Sequence, residues 1–264
     1  MIDSTFDVGR STAARAETQL QISESDVRQK ASRAASTWQA LRRPRDPESW
    51  KSDWARTQAM VVQLLTGLEH GISAQPVLES SQKIRVTEAG VWLKENPGLL
   101  RGAVAEISGS GRELNRAPCV RSGAREHPRV VAISRDLLGA LHDHWSEPGF
   151  TAYVEEFQRR QPLALHELSL FPPALKQAIL ERLTPAANAL IRGDATDEQI
   201  GRVPRLMRSL QALSITGWRD LLEPLMMIDL VLRRDLVYGR MNYASRKCIV
   251  AQSPELLSIP NSPK

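Results

Sequence analysis

The chain is poor in the residues that crosslink, stack or span. Two cysteines, Cys119 and Cys248, stand among 264 residues. That is too few for a disulfide framework or a four-ligand zinc site. Aromatics are 5% of the chain, and Tyr, Phe and Ile do not gather in runs. No alternating apolar and polar stretch is long enough to argue a sheet. No apolar run approaches the roughly 20 residues that a membrane-spanning helix requires. The best candidate, Leu221 to Leu232, is interrupted by Glu223, Pro224 and Asp229. The opening residues lack the basic-then-apolar order of a secretory signal.

Catalytic and binding motifs are also missing. SGSGRE (108–113) follows no strand and lacks the Lys-Ser/Thr of a phosphate loop. Neither cysteine sits in a nucleophile motif. Asp-x-Asp, the spacing with which sugar-nucleotide transferases hold a divalent metal, does not occur. The residues therefore predict no cofactor, no metal and no catalytic group.

What is present is ordinary globular composition: 42% hydrophobic and 25% charged residues, with 35 Lys+Arg against 30 Asp+Glu, a net charge of 35 − 30 = +5. A soluble, cytoplasmic chain is expected. Helical spacing recurs throughout. Val27, Ala31, Ala34, Trp38 and Leu41 mark a first helix, and Asp46-Pro47-Glu48 reads as a helix start because Pro suits the first turn. Trp50, Trp54, Met60, Val61, Leu64, Leu65 and Leu68 supply its apolar side, with a stop at Gly71. Thr87-Glu88 reads as a second cap. Helices are further expected over about 130–145, along Phe150 to Phe157, over Ala174 to Leu183, from Thr196 to about Leu213, over Trp218 to Arg233, and from Tyr238 to Val250.

These signals predict an all-α chain, either a multi-helix bundle or a solenoid-like array. The expected organisation is a flexible tail (1–24), an N-terminal helical part (25–107), a basic loop (108–126), a C-terminal helical domain (127–250) and a tail (251–264).

Three clusters invite chemistry. His142-Asp143-His144, with His166-Glu167 further on, is a concentration of metal-type side chains. Histidines two apart face about 200° from each other on a helix, so a polar helix end is expected there rather than a metal site. Residues 101–129 hold six Arg, including Arg112, Arg116, Arg121, Arg125 and Arg129, against three Glu. Without interleaved aromatics, a solvated loop is expected ahead of a nucleic-acid or anionic-membrane surface. Leu221, Leu225, Met226, Met227, Ile228, Leu230, Val231 and Leu232 are apolar on nearly every side and predict a buried central helix.

Several segments resemble one family. LMRSLQALSITGWRDLLEPLMMIDLVLRRDLVYGRMNYASRK (206–247) resembles a signature of the cyclic β-1,2-glucan synthases through Ser209, Leu210, Trp218, Glu223, Leu232, Arg233, Asp235, Val237, Tyr238, Met241, Tyr243 and Arg246. HPRVVAIS (127–134) is similar at Pro128, Arg129 and Val130, and the stretch from Tyr153 to Leu183 at Phe157, Gln158, Pro162, Leu163, Glu167, Leu168, Leu175 and Leu183. Trp92-Leu93 with Asn96 echoes another family motif. The similarity runs in order from Trp92 to Val250 and departs at Val131, His166, Gly217, Asn242 and Lys247.

The resemblance implies the helical N-terminal region of these inner-membrane enzymes, without their catalytic parts. It implies a non-catalytic scaffold or regulator, with a membrane glucan synthase or its downstream half as partner. Arg129, Glu167, Trp218, Glu223, Asp235, Tyr238 and Arg246 would then be structural, and buried Arg–Glu pairing is an expected role. The alternatives are retained transfer from UDP-glucose in a split enzyme, and a basic helical module for nucleic acid or anionic membrane.

Overall fold

The computed structural model describes residues 23–41, 47–70, 80–122 and 125–226, with Met241 and Ser245. Eleven α-helices among them make the chain all-α: α1 (Glu24–Thr37), α2 (Pro47–His70), α3 (Ser80–Glu95), α4 (Pro97–Gly109), α5 (Gly111–Arg116), α6 (Arg129–Ala140), α7 (Glu147–Gln158), α8 (Leu165–Leu168), α9 (Phe171–Arg192), α10 (Asp197–Ile215) and α11 (Trp218–Leu222). A 3-10 turn, Glu223–Leu225, follows. No helix of the described residues is long and apolar enough to cross a membrane.

The centre is α9. Pro172 and Pro173 occupy its first turn, where a missing N–H costs no hydrogen bond. Pro185 lies within the helix at an exposed position. Gly193 ends it with φ 79°, a left-handed turn that glycine adopts without Cβ strain. Between these ends Phe171, Leu175, Ile179, Leu180, Leu183 and Leu190 are buried, as are Ala174, Ala178, Ala186 and Ala187. Small residues on several sides let α2, α4, α6 and α10 all pack against it. α1 packs on α7 and α10 on α3, so a single apolar cluster includes residues on both sides of 108–126.

The central element is therefore longer than the helix expected over Ala174 to Leu183. The other candidate centre, Leu221 to Leu232, is not one continuous helix. α11 gives way to a 3-10 turn at Glu223-Pro224-Leu225, and Met226 is extended. Pro224 cannot donate an interior helical hydrogen bond. Leu225 is buried and Leu221, Leu222 and Met226 are half-buried; the rest of that apolar run lies outside the described residues. Of the expected tail at 1–24, residues 1–22 lie outside them while Glu24 opens α1; the expected tail at 251–264 and the expected helix from Tyr238 to Val250 also lie outside them, apart from Met241 and Ser245.

The stretch 108–126 is not a loop. α5 forms within it, and Cys119–Ser122 (β2) pairs antiparallel with Arg125–Pro128 (β3) and with Gln39–Leu41 (β1). These strands are three and four residues long. An alternation of that length is invisible against its surroundings, and β1 finds β2 about 80 residues away, in register Ala40 to Val120. Leu41 and Gln39 therefore end in a sheet edge rather than in the first helix. α3 begins at Ser80, so Thr87 lies inside it and is not its cap.

Candidate functional site

The buried charges converge on α6 and its two ends. Arg129 is the first residue of α6, directly after β3, and its backbone N–H donates to the Pro118 carbonyl at 2.7 Å. Glu167 sits in the one-turn helix α8. The two side chains are 10% and 1% exposed and meet as a bidentate pair. Arg129 Nε donates to Glu167 Oε1 at 2.9 Å and Nη2 to Oε2 at 2.5 Å. Nη2 also donates to the Pro162 carbonyl at 3.0 Å, while Glu167 Oε2 accepts the Ala164 N–H at 3.0 Å. Both carboxylate oxygens and two guanidinium nitrogens are thus satisfied, the condition under which a buried ion pair is tolerated.

Cys119 lies beside this pair on β2 and is buried. Burial first, then the negative charges of Glu126 and Glu167, push its thiol up to about 11. Such a thiol is inert as a nucleophile at neutral pH. In the unfolded chain the thiol ionises near 9, so folding loses stability as pH rises from about 9 to 11. The expected loss is on the order of 2–3 kcal/mol. The buried Tyr153 hydroxyl, also held above its ordinary value by burial and by Asp136, adds to the loss at higher pH. Urea denaturation midpoints measured between pH 8 and 11 test this, and Cys119→Ser should flatten the lower half of the decline. A wild-type midpoint independent of pH across that window would contradict it.

At its other end α6 closes with two left-handed residues, His142 (φ 48°) and Asp143 (φ 68°), a conformation costly for residues other than glycine. Asp143 repays it by turning inward, where its carboxylate is 6% exposed and faces two arginines. Arg182 Nη1 of α9 donates to Oδ1 at 2.6 Å, and Arg202 Nε of α10 lies 3.0 Å from Oδ2. Ser209 Oγ donates to the Asp143 carbonyl and accepts the Trp145 N–H, each at 2.8 Å. The aspartate between the two histidines is therefore the hub of an arginine network, with His142 exposed and His144 half-buried. Burial lowers the His144 pKa, and Arg205 and Arg208 lower it further.

Two more polar contacts tie α6 to its neighbours. Arg135 grips Glu181 through two 2.6 Å bonds, and Gln177 Nε2 donates to the same carboxylate at 2.9 Å. Tyr153 Oη donates to Asp136 Oδ2 at 2.6 Å. Lys176 on α9 is buried and pairs with Glu106.

Trp218 caps an aromatic group rather than a polar site. Its ring centroid lies 5.5 Å from Trp145 and 5.9 Å from Phe150, and its Nε1–H donates to the Leu213 carbonyl at 3.2 Å. Phe150 in turn meets Phe171 edge-on at 5.0 Å. Glu223 is half-buried in the 3-10 turn. Asp235, Tyr238 and Arg246 lie outside the described residues.

The basic stretch divides. Arg129 is buried, and Arg121 pairs with Glu126 at 2.5 Å across the hairpin, while Arg112 and Arg116 are exposed on α5. A solvated loop does not describe it, because two of its arginines, Arg121 and Arg129, are committed to carboxylates.

Chemically, these carboxylates are held as partners of guanidinium groups. Glu167 and Asp143 each accept charge-assisted hydrogen bonds from arginine. Sequence reasoning marked Arg129 and Glu167, and Ser209 as a resembling position, but not Arg182 or Arg202. Their only sequence signal is the lone Asp143 after a helix end, which does not say where its partners lie. No family model and no curated protein matches this chain.

Proposed function

We propose that the chain is a non-catalytic helical scaffold or regulatory domain, akin to the N-terminal region of cyclic β-1,2-glucan synthases. Its partner would be the catalytic portion of such a membrane synthase, or the downstream half of a split enzyme. The observation that supports this reading best is the Arg129–Glu167 pair. It joins two separate resembling segments, HPRVVAIS (127–134) and the stretch through HEL (166–168), by three hydrogen bonds. Residues shared with a family for the sake of architecture are expected to pair with each other, as these do. The inward use of Glu167, Asp143 and Glu181 as arginine partners also favours a structural part over a catalytic one.

The purified chain, incubated with UDP-glucose and Mg²⁺ or Mn²⁺, should release no UDP. Added to membrane vesicles holding a β-1,2-glucan synthase stripped of its own N-terminal helical region, it should restore glucan formation. Glucosyl transfer by the isolated chain, or an unrestored synthase, would overturn the proposal.

A further inference from the structure

A second cluster of charge lies on the outer side of the Asp143 network, where α10 passes the turn between α6 and α7. The bonds from Ser209 to Asp143 and Trp145 clamp that turn onto α10 and fix His144 against the same helix. Arg205 and Arg208 stand one turn apart on α10, and both act electrostatically on His144. Like charges so arranged repel, and the carboxylates nearby do not balance them. Asp143 serves Arg182 and Arg202, Glu198 serves Arg202, and Glu88 serves Arg208 at 3.3 Å. Four guanidinium groups thus share three carboxylates, two of which, Glu198 and Glu88, are mostly or half exposed.

Arg205 is the unmatched member. Its Nε donates to the Gly201 carbonyl at 3.0 Å, and it has no acidic partner among the described residues. Its side chain is half-buried, which makes this position costly for a cation without a counter-charge. Arg208 is held in place over the Trp92 ring, 5.6 Å from its centroid. A fixed arginine and an unmatched arginine one turn apart on α10, beside a half-buried imidazole whose turn is clamped to the same helix, offer donors to a compact, doubly charged oxyanion.

The geometry points to a phosphate-binding site formed by Arg205, Arg208 and His144, taking the phosphate group of a small soluble metabolite. This inference does not rest on the family resemblance. Bound phosphate would supply the counter-charge that Arg205 lacks and accept a hydrogen bond from the imidazolium of His144.

The test uses the full chain and histidine NMR, with His144→Gln identifying the resonance. In sodium phosphate the His144 titration midpoint should lie about one pH unit higher than in sodium chloride of equal ionic strength, with a smaller change at exposed His142. Arg205→Gln and Arg208→Gln should each weaken phosphate binding about tenfold, while Arg159→Gln, on an exposed face elsewhere, should not. A nucleoside diphosphate should compete with phosphate at the same resonance. An equal His144 midpoint in phosphate and chloride would overturn the site, and that reading needs only the wild-type chain. Binding confined to vesicles containing phosphatidic acid, with no response to soluble phosphate compounds, would overturn it in favour of a membrane surface.

Discussion

Glu167→Leu should destabilise the fold by about 3–5 kcal/mol. The loss comes less from the missing attraction than from what remains, a buried Arg129 guanidinium with only the Pro162 carbonyl to bond. The same substitution frees the Ala164 N–H at the start of α8. Arg129→Met should cost a comparable amount, since it strands the Glu167 carboxylate at 1% exposure. The double variant Arg129→Met/Glu167→Leu should regain most of either loss, because two matched apolar side chains leave no uncompensated charge. Chemical denaturation of the four proteins gives the coupling directly. Additive single losses would show that the pair is not an energetic unit, and would remove the support it lends to a structural role for the shared residues.

Legibility in the sequence followed the range of the interaction. Helices announced by caps and Pro starts were readable. Pro47 opens α2, and Thr196 caps α10 with a reciprocal bond to Gln199. All-α architecture followed from such local signals. The sheet did not, because β1 is three residues long and meaningful only beside a strand about 80 residues distant. Proline was the ambiguous letter. Pro172 and Pro173 open the central helix, whereas Pro224 ends α11 in a 3-10 turn. Local chemistry is identical in the two cases, and only the position relative to the first turn differs.

The charged groups show the same division. Arg129 and Glu167 were singled out because a resemblance marked both, and pairing was then the physical requirement for burying either. Asp143 carried no such mark. Its partners Arg182 and Arg202 are 39 and 59 positions away, on two different helices, and no spacing rule connects them. Surface arginines and network arginines are the same letter, so residues 101–129 read as uniformly solvated when Arg121 and Arg129 are in fact committed to carboxylates.

Phe150→Ala is the other substitution expected to cost about 3–5 kcal/mol. Phe150 is fully buried and holds three aromatic neighbours at once: Phe171 at 5.0 Å and 88°, Trp145 at 5.5 Å, and Trp218 at 5.9 Å and 86°. The near-perpendicular contacts set the positive ring edge against a negative face, a gain beyond simple burial. The truncated side chain leaves a cavity that stiff rings and the central helix cannot close. Trp145 and Trp218 also lose a wall and should become more mobile, so their fluorescence should shift to longer wavelength before global unfolding. Phe150→Leu refills most of the volume without the edge-on contacts and should cost under half as much. Equal losses for the two variants would mean that ring geometry contributes nothing here and that volume alone holds α7 against α9. An unshifted fluorescence maximum in Phe150→Ala would place the structural role of Trp218 in its hydrogen bond to Leu213 rather than in the stack.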